Sequence, residues 1–155
     1  MVRIWGDVPL VTYSYDNGTF PSMPRTDAQT VLSYAKAELL TAIKDLPYQY
    51  GTQTNLYYGS YGAQWQGKLF NKLSAYSVLA HICAWQGNYA EAETYSAFII
   101  DHASEINAKY TSIADLTSET GLFYSNASVK GSRILGFNFA HNDNEATQSG
   151  HLEQL

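Results

Sequence analysis

The chain has 155 residues, 45% of them hydrophobic and 15% charged, a balance that favours a folded globular chain over a disordered one. Its net charge of −5, without a cluster of Lys and Arg, removes the electrostatic basis for nucleic-acid binding and disfavours an anionic membrane surface. The single cysteine, Cys83, excludes an intrachain disulfide, and its place in an apolar run predicts a small buried side chain.

Residues 1–24 are predicted to be extended. Pro9 restricts Val8 to the extended region, and Pro21 and Pro24 exclude a helix ahead of residue 25. The sequence shows no signal peptide, no amino-terminal cysteine for a lipid, and no apolar run long enough to cross a bilayer. We therefore expect either a cytoplasmic protein or a piece of a longer one, and the abrupt start and end favour the piece.

The first helix is predicted to begin with a capping box, in which the Thr26 hydroxyl accepts a backbone N–H and the Gln29 side chain reaches back to the Thr26 backbone N–H. Pro47 is predicted to end it. Between these signals, apolar residues recur on one helical face: Val31, Ala35, Leu39, Ala42, Ile43 and Leu46.

A long loop, residues 48–64, is predicted after this helix, because tyrosines alternate there with glycines and polar residues. A long loop inside a compact domain is often functional. The tyrosines of this segment are Tyr48, Tyr50, Tyr57, Tyr58 and Tyr61.

The second helix is predicted from about Trp65 to Trp85. Its sequence is apolar on nearly every side, which is typical of a helix that is buried on most of its faces. Within this helix, His81 is interpreted as a hydrogen-bonded core residue rather than a metal ligand.

The third helix is predicted to begin after Gln86-Gly87, where Asn88 and Glu91 form another capping signal, and to run to about Ala108. Two helices joined by so short a turn predict an antiparallel hairpin over about residues 65–108.

Residues 133–139 are a predicted strand near the end of the chain. The predicted fold is thus mainly α, with antiparallel helical hairpins, extended segments at both ends, and a single domain over residues 1–155.

The hairpin resembles a tetratricopeptide repeat in its residues Ala80, Gly87-Asn-Tyr89 and Ala92. The resemblance implies that Ala80 and Ala92 are small where the two helices cross, that Gly87 makes the tight turn, and that Tyr89 covers the open end. Residues 28–47 resemble the second helix of a neighbouring repeat, and a single repeat needs neighbours to bury its apolar face.

A larger pattern resembles the SusD-like (SusD/RagB) family in order and spacing over about residues 3–140. Its segments are Trp5-Gly-Asp-Val-Pro-Leu-Val11, Pro24-Arg25, a helix ending Asp45-Leu46-Pro47, Gly87-Asn-Tyr-Ala-Glu-Ala92, and Ile134-Leu-Gly-Phe-Asn-Phe139.

This resemblance implies a non-enzymatic glycan- or nutrient-binding lipoprotein at the outer-membrane surface, which takes part in polysaccharide utilisation. Its partners would be an oligosaccharide and a SusC-like TonB-dependent transporter, and no cofactor is expected. Members of the family are much longer than this chain and carry a signal peptide and a lipidated cysteine. The resemblance therefore also implies that this chain is a piece of such a protein.

Sugar binding requires rigid exposed aromatic rings beside polar side chains. The predicted loop and its end supply both, and the candidate carbohydrate-binding residues are Tyr57, Tyr58, Tyr61, Trp65 and Asn55. The alternative is that these aromatic rings pack onto the helical core or onto a part of the protein beyond this chain.

An enzyme is not predicted. No two histidines have metal-ligand spacing, and the sequence contains no nucleophile elbow and no phosphate-binding glycine loop. The second candidate function is a tetratricopeptide-like scaffold that binds a protein and no sugar, and the third is a folded piece that binds nothing by itself.

Overall fold

The computed structural model describes residues 2–13, 21–50, 69–106, 108, 112–114 and 134. These residues contain four α-helices with defined bounds, two further helical residues at 113–114, and no strand, which confirms the predicted mainly α class. The helices are α1 (Val2–Trp5), α2 (Ala28–Ala42), α3 (Lys72–Trp85) and α4 (Tyr89–Asp101), followed by a 3-10 helix at Ala103–Ile106. The predicted strand at residues 133–139 lies outside the described part except for Ile134, which is in a bend.

The chain divides into two compact units. The first comprises Met1–Leu46 and Ala75–Ala97, and the second comprises Pro47–Ser74 and Phe98–Leu155. The predicted single domain remains a prediction. None of the helices in the described ranges is long and apolar enough to cross a membrane.

The prediction that residues 1–24 are extended is wrong for α1. Val2–Trp5 form one helical turn, which Gly6 ends with φ +65° and an N–H that donates to the Val2 carbonyl at 2.9 Å. The proline restriction begins at Val8 and therefore leaves these earlier residues free to form a turn. Glycine adopts this positive φ without the steric cost that a Cβ would bring.

The predicted cap of α2 is one residue too early. Asp27 is the N-cap, and its carboxylate accepts from the backbone N–H of Thr30 at 2.9 Å. Thr26 instead forms an antiparallel bridge with Val8, in which each backbone N–H donates to the other residue's carbonyl at 3.0–3.3 Å. The Asp7 carboxylate accepts the N–H of Ala28 at 3.0 Å, so two acidic residues satisfy this helix start.

The helix α2 ends before the predicted stop at Pro47. Its last residue is Ala42, and the cap residue Ile43 donates its N–H to the Leu39 carbonyl at 2.9 Å. Ile43 is also buried, which ties the end of α2 to the apolar interior.

The helix α3 begins at Lys72 rather than near Trp65, because the residues just ahead of it, Leu69–Asn71, are not helical. The Asn71 side-chain oxygen accepts from both the backbone N–H and the hydroxyl of Ser74, at 2.8 and 2.9 Å. Both residues are buried, so an internal N-cap fixes the start of this helix.

The core lies along α3. Its buried apolar residues are Leu73, Ala75, Leu79, Ile82 and Cys83. At the start of the helix three consecutive residues, Leu73, Ser74 and Ala75, are fully buried, whereas Ala84 and Trp85 at its end are exposed. The interpretation of His81 as a core residue is wrong, because this residue is exposed.

The turn between α3 and α4 contains Gly87 with φ +79°. Gly87 donates its N–H to the Ala84 carbonyl at 3.1 Å, and Asn88 donates to the Cys83 carbonyl at 2.8 Å. This pair of hydrogen bonds is a Schellman motif, which satisfies carbonyls at the end of α3. Asn88 then caps α4, where its side-chain oxygen accepts from the Glu91 N–H at 3.4 Å.

The two helices run antiparallel, as predicted. Cys83, near the end of α3, contacts Glu91 near the start of α4, and Tyr76, earlier in α3, contacts Tyr95 later in α4 with ring centroids 5.9 Å apart. The remaining hairpin predictions concern Ala80, Ala92 and Tyr89. Both alanines are half-buried, whereas Tyr89 is 73% exposed. Their roles at the helix crossing and the open end remain predictions.

Candidate carbohydrate-binding loop and its surroundings

The five candidate carbohydrate-binding residues lie outside the described part of the chain. Tyr57, Tyr58, Tyr61, Trp65 and Asn55 all fall between residues 51 and 68, so their role remains a prediction. The structure describes the two flanks of this segment, residues 47–50 and 69–72, which belong to the second unit.

The two flanks are joined by direct hydrogen bonds. Lys72 donates its backbone N–H to the Pro47 carbonyl at 2.9 Å, and the Tyr50 hydroxyl donates to the Phe70 carbonyl at 2.9 Å. These two hydrogen bonds hold the flanks of residues 51–68 next to each other.

Tyr48 takes part in a stack of aromatic rings. Its ring lies parallel to that of His102, with centroids 5.7 Å apart, and His102 stacks on Phe98 at 4.0 Å. The Lys72 ammonium lies 5.2 Å from the Tyr48 ring centroid, in cation–π geometry. The His102 ring nitrogen Nδ1 is also 2.9 Å from the Phe98 carbonyl oxygen.

The neighbouring flank residue binds the 3-10 helix. The Gln49 side-chain amide donates to the Glu105 carbonyl. Tyr48, Gln49 and Tyr50 therefore all contact neighbouring residues of the second unit, and the packing alternative for Tyr57, Tyr58, Tyr61 and Trp65 stays a prediction.

A polar cluster in the first unit joins three helical elements at one carboxylate. Glu91 accepts hydrogen bonds from the Lys36 ammonium of α2 and the Asn88 side-chain amide, and the Cys83 thiol donates to it at 3.7 Å. The Lys36 hydrogen bond lowers the pKa of Glu91 and raises that of Lys36. Sequence spacing gave no signal for this pair, because Lys36 and Glu91 lie in different predicted helices.

The Cys83 thiol is free and fully buried, in agreement with its interpretation as a small core residue. Burial raises the pKa of this thiol, although the nearby Lys36 charge opposes the change. A protonated thiol inside the core is a poor nucleophile. Nowhere in the described ranges do three His, Cys, Asp or Glu side chains come together to hold a metal ion.

The first unit also contains an apolar cleft of about 310 Å³ between α1, α2 and α3. The Arg3 guanidinium lies over the Trp85 ring at its edge, 5.2 Å from the centroid. Sequence analysis did not predict this α1–α2–α3 cleft, since it depends on how the three helices pack. Its lining residues are Arg3, Leu32, Val78, His81, Ile82 and Trp85.

Comparison with solved structures gives the family. The chain is 94% identical over its whole length to a SusD superfamily protein from Bacteroides thetaiotaomicron VPI-5482, with a TM-score of 0.80 to its 1.50 Å crystal structure. The chain spans 32% of that protein's length, in agreement with the expectation of a piece of a longer polypeptide. No protein-family model and no curated protein matches the sequence. The predicted family is nevertheless confirmed by the 94% identity, and this chain belongs to the SusD superfamily.

Proposed function

We propose that this chain is part of a non-enzymatic glycan-binding protein of the SusD type. The observation that carries the proposal is the 94% identity, over the whole chain, to a SusD superfamily protein. The protein would act at the outer-membrane surface as a lipoprotein and deliver oligosaccharides to a SusC-like TonB-dependent transporter. This function belongs to the whole protein, of which the present chain supplies part of the helical framework.

The loop between α2 and α3 is our candidate for the sugar contact. Tyr57, Tyr58, Tyr61 and Trp65 offer aromatic faces for the C–H groups of a pyranose ring, and Asn55 offers an amide for its hydroxyls. The hydrogen bonds between the flanks support this proposal, because they hold the two ends of the predicted loop at one place.

Tyr48 and Tyr50 are excluded from the contact set. The Tyr48 ring is stacked on His102, and the Tyr50 hydroxyl is bound to the Phe70 carbonyl. We therefore expect substitutions of these two residues to act on stability first, and substitutions between residues 51 and 68 to act on sugar affinity.

Calorimetric titration of the longer natural protein with a panel of oligosaccharides tests the proposal. We expect saturable heat for at least one glycan and about tenfold weaker binding for Tyr58→Ala, which corresponds to about 1.4 kcal/mol. Tyr89→Ala is the matched control, because this tyrosine is 73% exposed and lies outside the loop. The proposed site is wrong if sugar affinity stays unchanged in all four alanine variants, Tyr57→Ala, Tyr58→Ala, Tyr61→Ala and Trp65→Ala.

The alternative function is a tetratricopeptide-like scaffold that binds a protein and no sugar. It predicts no heat of binding for any glycan of the panel, together with capture of a protein partner. Affinity purification from outer membranes separates the two functions, since the SusD-type proposal expects a TonB-dependent transporter to co-purify with a protein that also binds sugar.

Surface proteolysis of intact cells tests the proposed location. A lipoprotein at the cell surface is expected to be cleaved by added protease while the cells remain intact.

A further inference from the structure

The sequence around the candidate loop differs from the rest of the chain in its charge. Residues 46–67 contain no Asp, Glu, Lys, Arg or His, and this is the longest such run in the chain. The run is rich in side-chain amides, which both donate and accept hydrogen bonds. Those amides belong to Gln49, Gln53, Asn55, Gln64 and Gln66. Together with the aromatic side chains of the run, they form a set of uncharged groups that suits the hydroxyls and C–H faces of sugars.

The described cation beside the candidate loop contacts an aromatic ring. Lys72 is the only Lys or Arg among the described residues of the second unit, and its ammonium lies 5.2 Å from the centroid of the Tyr48 ring. The described arginines, Arg3 and Arg25, both belong to the first unit. The guanidinium group, which binds a carboxylate through two parallel hydrogen bonds, is therefore missing from the described part of the second unit.

Two acidic residues lie near the first flank of the loop. Gln49 donates its side-chain amide to the backbone carbonyl of Glu105, and Tyr48 stacks on His102, which directly follows Asp101. Both Asp101 and Glu105 are exposed. Exposed carboxylates near the loop repel an anionic ligand, and the net charge of −5 acts in the same direction.

Charge therefore separates two classes of sugar at this loop. A uronate or sulfate group is strongly hydrated, and its desolvation is costly unless a cation or several N–H groups replace the water. A neutral pyranose gives up only the hydration of its hydroxyls, and amide side chains can replace those hydrogen bonds. The uncharged run, the engaged Lys72 and the nearby carboxylates all favour the neutral sugar.

We propose that the glycan bound by this protein is a neutral oligosaccharide, and that glycans with uronate or sulfate groups are rejected at the loop. This inference rests on the proposed glycan-binding function and adds the class of sugar to it. Recognition then comes from aromatic stacking and from hydrogen bonds to amides, so the affinity depends little on ionic strength.

Calorimetric titration of the longer natural protein with matched pairs of probes tests the inference. Maltohexaose, cellohexaose, mannohexaose and galactohexaose are each compared with a form whose C6 alcohols have been oxidised to carboxylates. The two members of a pair differ in charge and share their linkages. Oligogalacturonate and chondroitin sulfate oligosaccharides serve as further acidic probes. We expect saturable heat with at least one neutral probe and at least about tenfold weaker binding of its oxidised form.

The outcomes separate this inference from glycan binding itself. Oxidised or sulfated probes that bind as tightly as the neutral ones, or that bind alone, would overturn the inference and leave glycan binding in place. No heat with any probe would contradict both. The inference is also wrong if the affinity for the neutral probe falls more than about tenfold between about 50 and about 500 mM NaCl, because a neutral glycan carries no charge to be screened.

An added cation gives a second test. Gln53→Lys places one positive charge within the uncharged run and should raise the affinity for the oxidised probe at least about threefold. Ser96→Lys adds the same charge at an exposed position of α4, in the first unit, and is the matched control, with an expected change below about twofold. No gain in Gln53→Lys, or an equal gain in both variants, would contradict the inference.

Discussion

The two helices of the hairpin differ in how they are held. The helix α3 places Leu73, Leu79 and Cys83 in fully buried positions and carries no carboxylate, whereas no residue of α4 is buried and its sequence includes Glu91 and Glu93. Apolar burial therefore stabilises α3, and α4 depends more on its N-cap, on the turn and on the contact of Glu91 with α2. The comparison teaches that one hairpin can contain a core helix and a surface helix, with different sensitivities to mutation.

The largest expected effect is that of a cavity in α3. Leu79→Ala is expected to lower the free energy of unfolding by about 3 kcal/mol, because Leu79 is fully buried and its removal leaves unfilled volume. Leu40→Ala, at an exposed leucine of α2, is the control, with an expected loss below about 1 kcal/mol. Urea unfolding measures both, and equal losses would contradict the core role of α3.

The two N-caps of the hairpin give the next comparison. Asn71→Ala is expected to cost about 2 kcal/mol, since it removes the acceptor for the N–H and hydroxyl of buried Ser74. Asn88→Ala, at the exposed cap of α4, is expected to cost about 1 kcal/mol. Asn71→Asp keeps an oxygen acceptor and serves as the conservative control. Thermal unfolding measures the loss of stability in each variant. A larger loss for Asn88→Ala than for Asn71→Ala would contradict this prediction.

The turn glycine is expected to have a smaller effect than the buried cap. Gly87→Ala should cost about 1 kcal/mol, because φ is +79° and an L side chain is strained there. No atom lies within 4 Å of the added Cβ, so backbone strain alone is measured. Gly87→Asn tolerates this conformation better and should lose less. Unchanged stability in Gly87→Ala would show that the turn shifts to another conformation.

The smallest expected effect concerns the Lys36–Glu91 pair, whose side chains are 21% and 41% exposed. The pKa of Glu91 is lowered from its ordinary 4.5, so its contribution is present above that pH and is lost as pH falls through the folded value. The pKa of Lys36 is raised from 10.5, so its contribution is complete below that pH and is lost as pH rises through the folded value.

Glu91→Gln should therefore destabilise the chain near pH 7 and match the parent more closely in acid. Urea unfolding between pH 3 and 7 measures this difference. Glu93→Gln, also on α4, is the matched control and should show a smaller pH-dependent change. A difference for Glu91→Gln that stays constant across this range would show that charge pairing contributes little to the contact with α2.

The hairpin could be predicted from sequence because its signals are local. The apolar run, Gly87 and the pair Asn88 and Glu91 lie within a few residues of the turn that they determine. The family could likewise be recognised, because its segments keep a fixed order along the chain. Local pattern was also sufficient to indicate that Cys83 is buried.

Features that depend on distant residues could not be predicted. The cap of α2 is Asp27 rather than Thr26, because Val8 engages the Thr26 backbone, and Asp7 adds a carboxylate from 21 residues away. The start of α3 at Lys72, after the N-cap Asn71, could not be predicted, since apolar residues lie on both sides of it. The ring stack of Tyr48 and the α1–α2–α3 cleft likewise arise from tertiary packing.

Native-state hydrogen exchange tests the central claim, that α3 is the core helix and α4 the surface helix of one hairpin. The amides of Leu79, Ile82 and Cys83 are expected to exchange only through global unfolding, while those in the second half of α4 exchange through smaller local openings. Equal protection of the two helices, or stronger protection of α4, would contradict the account.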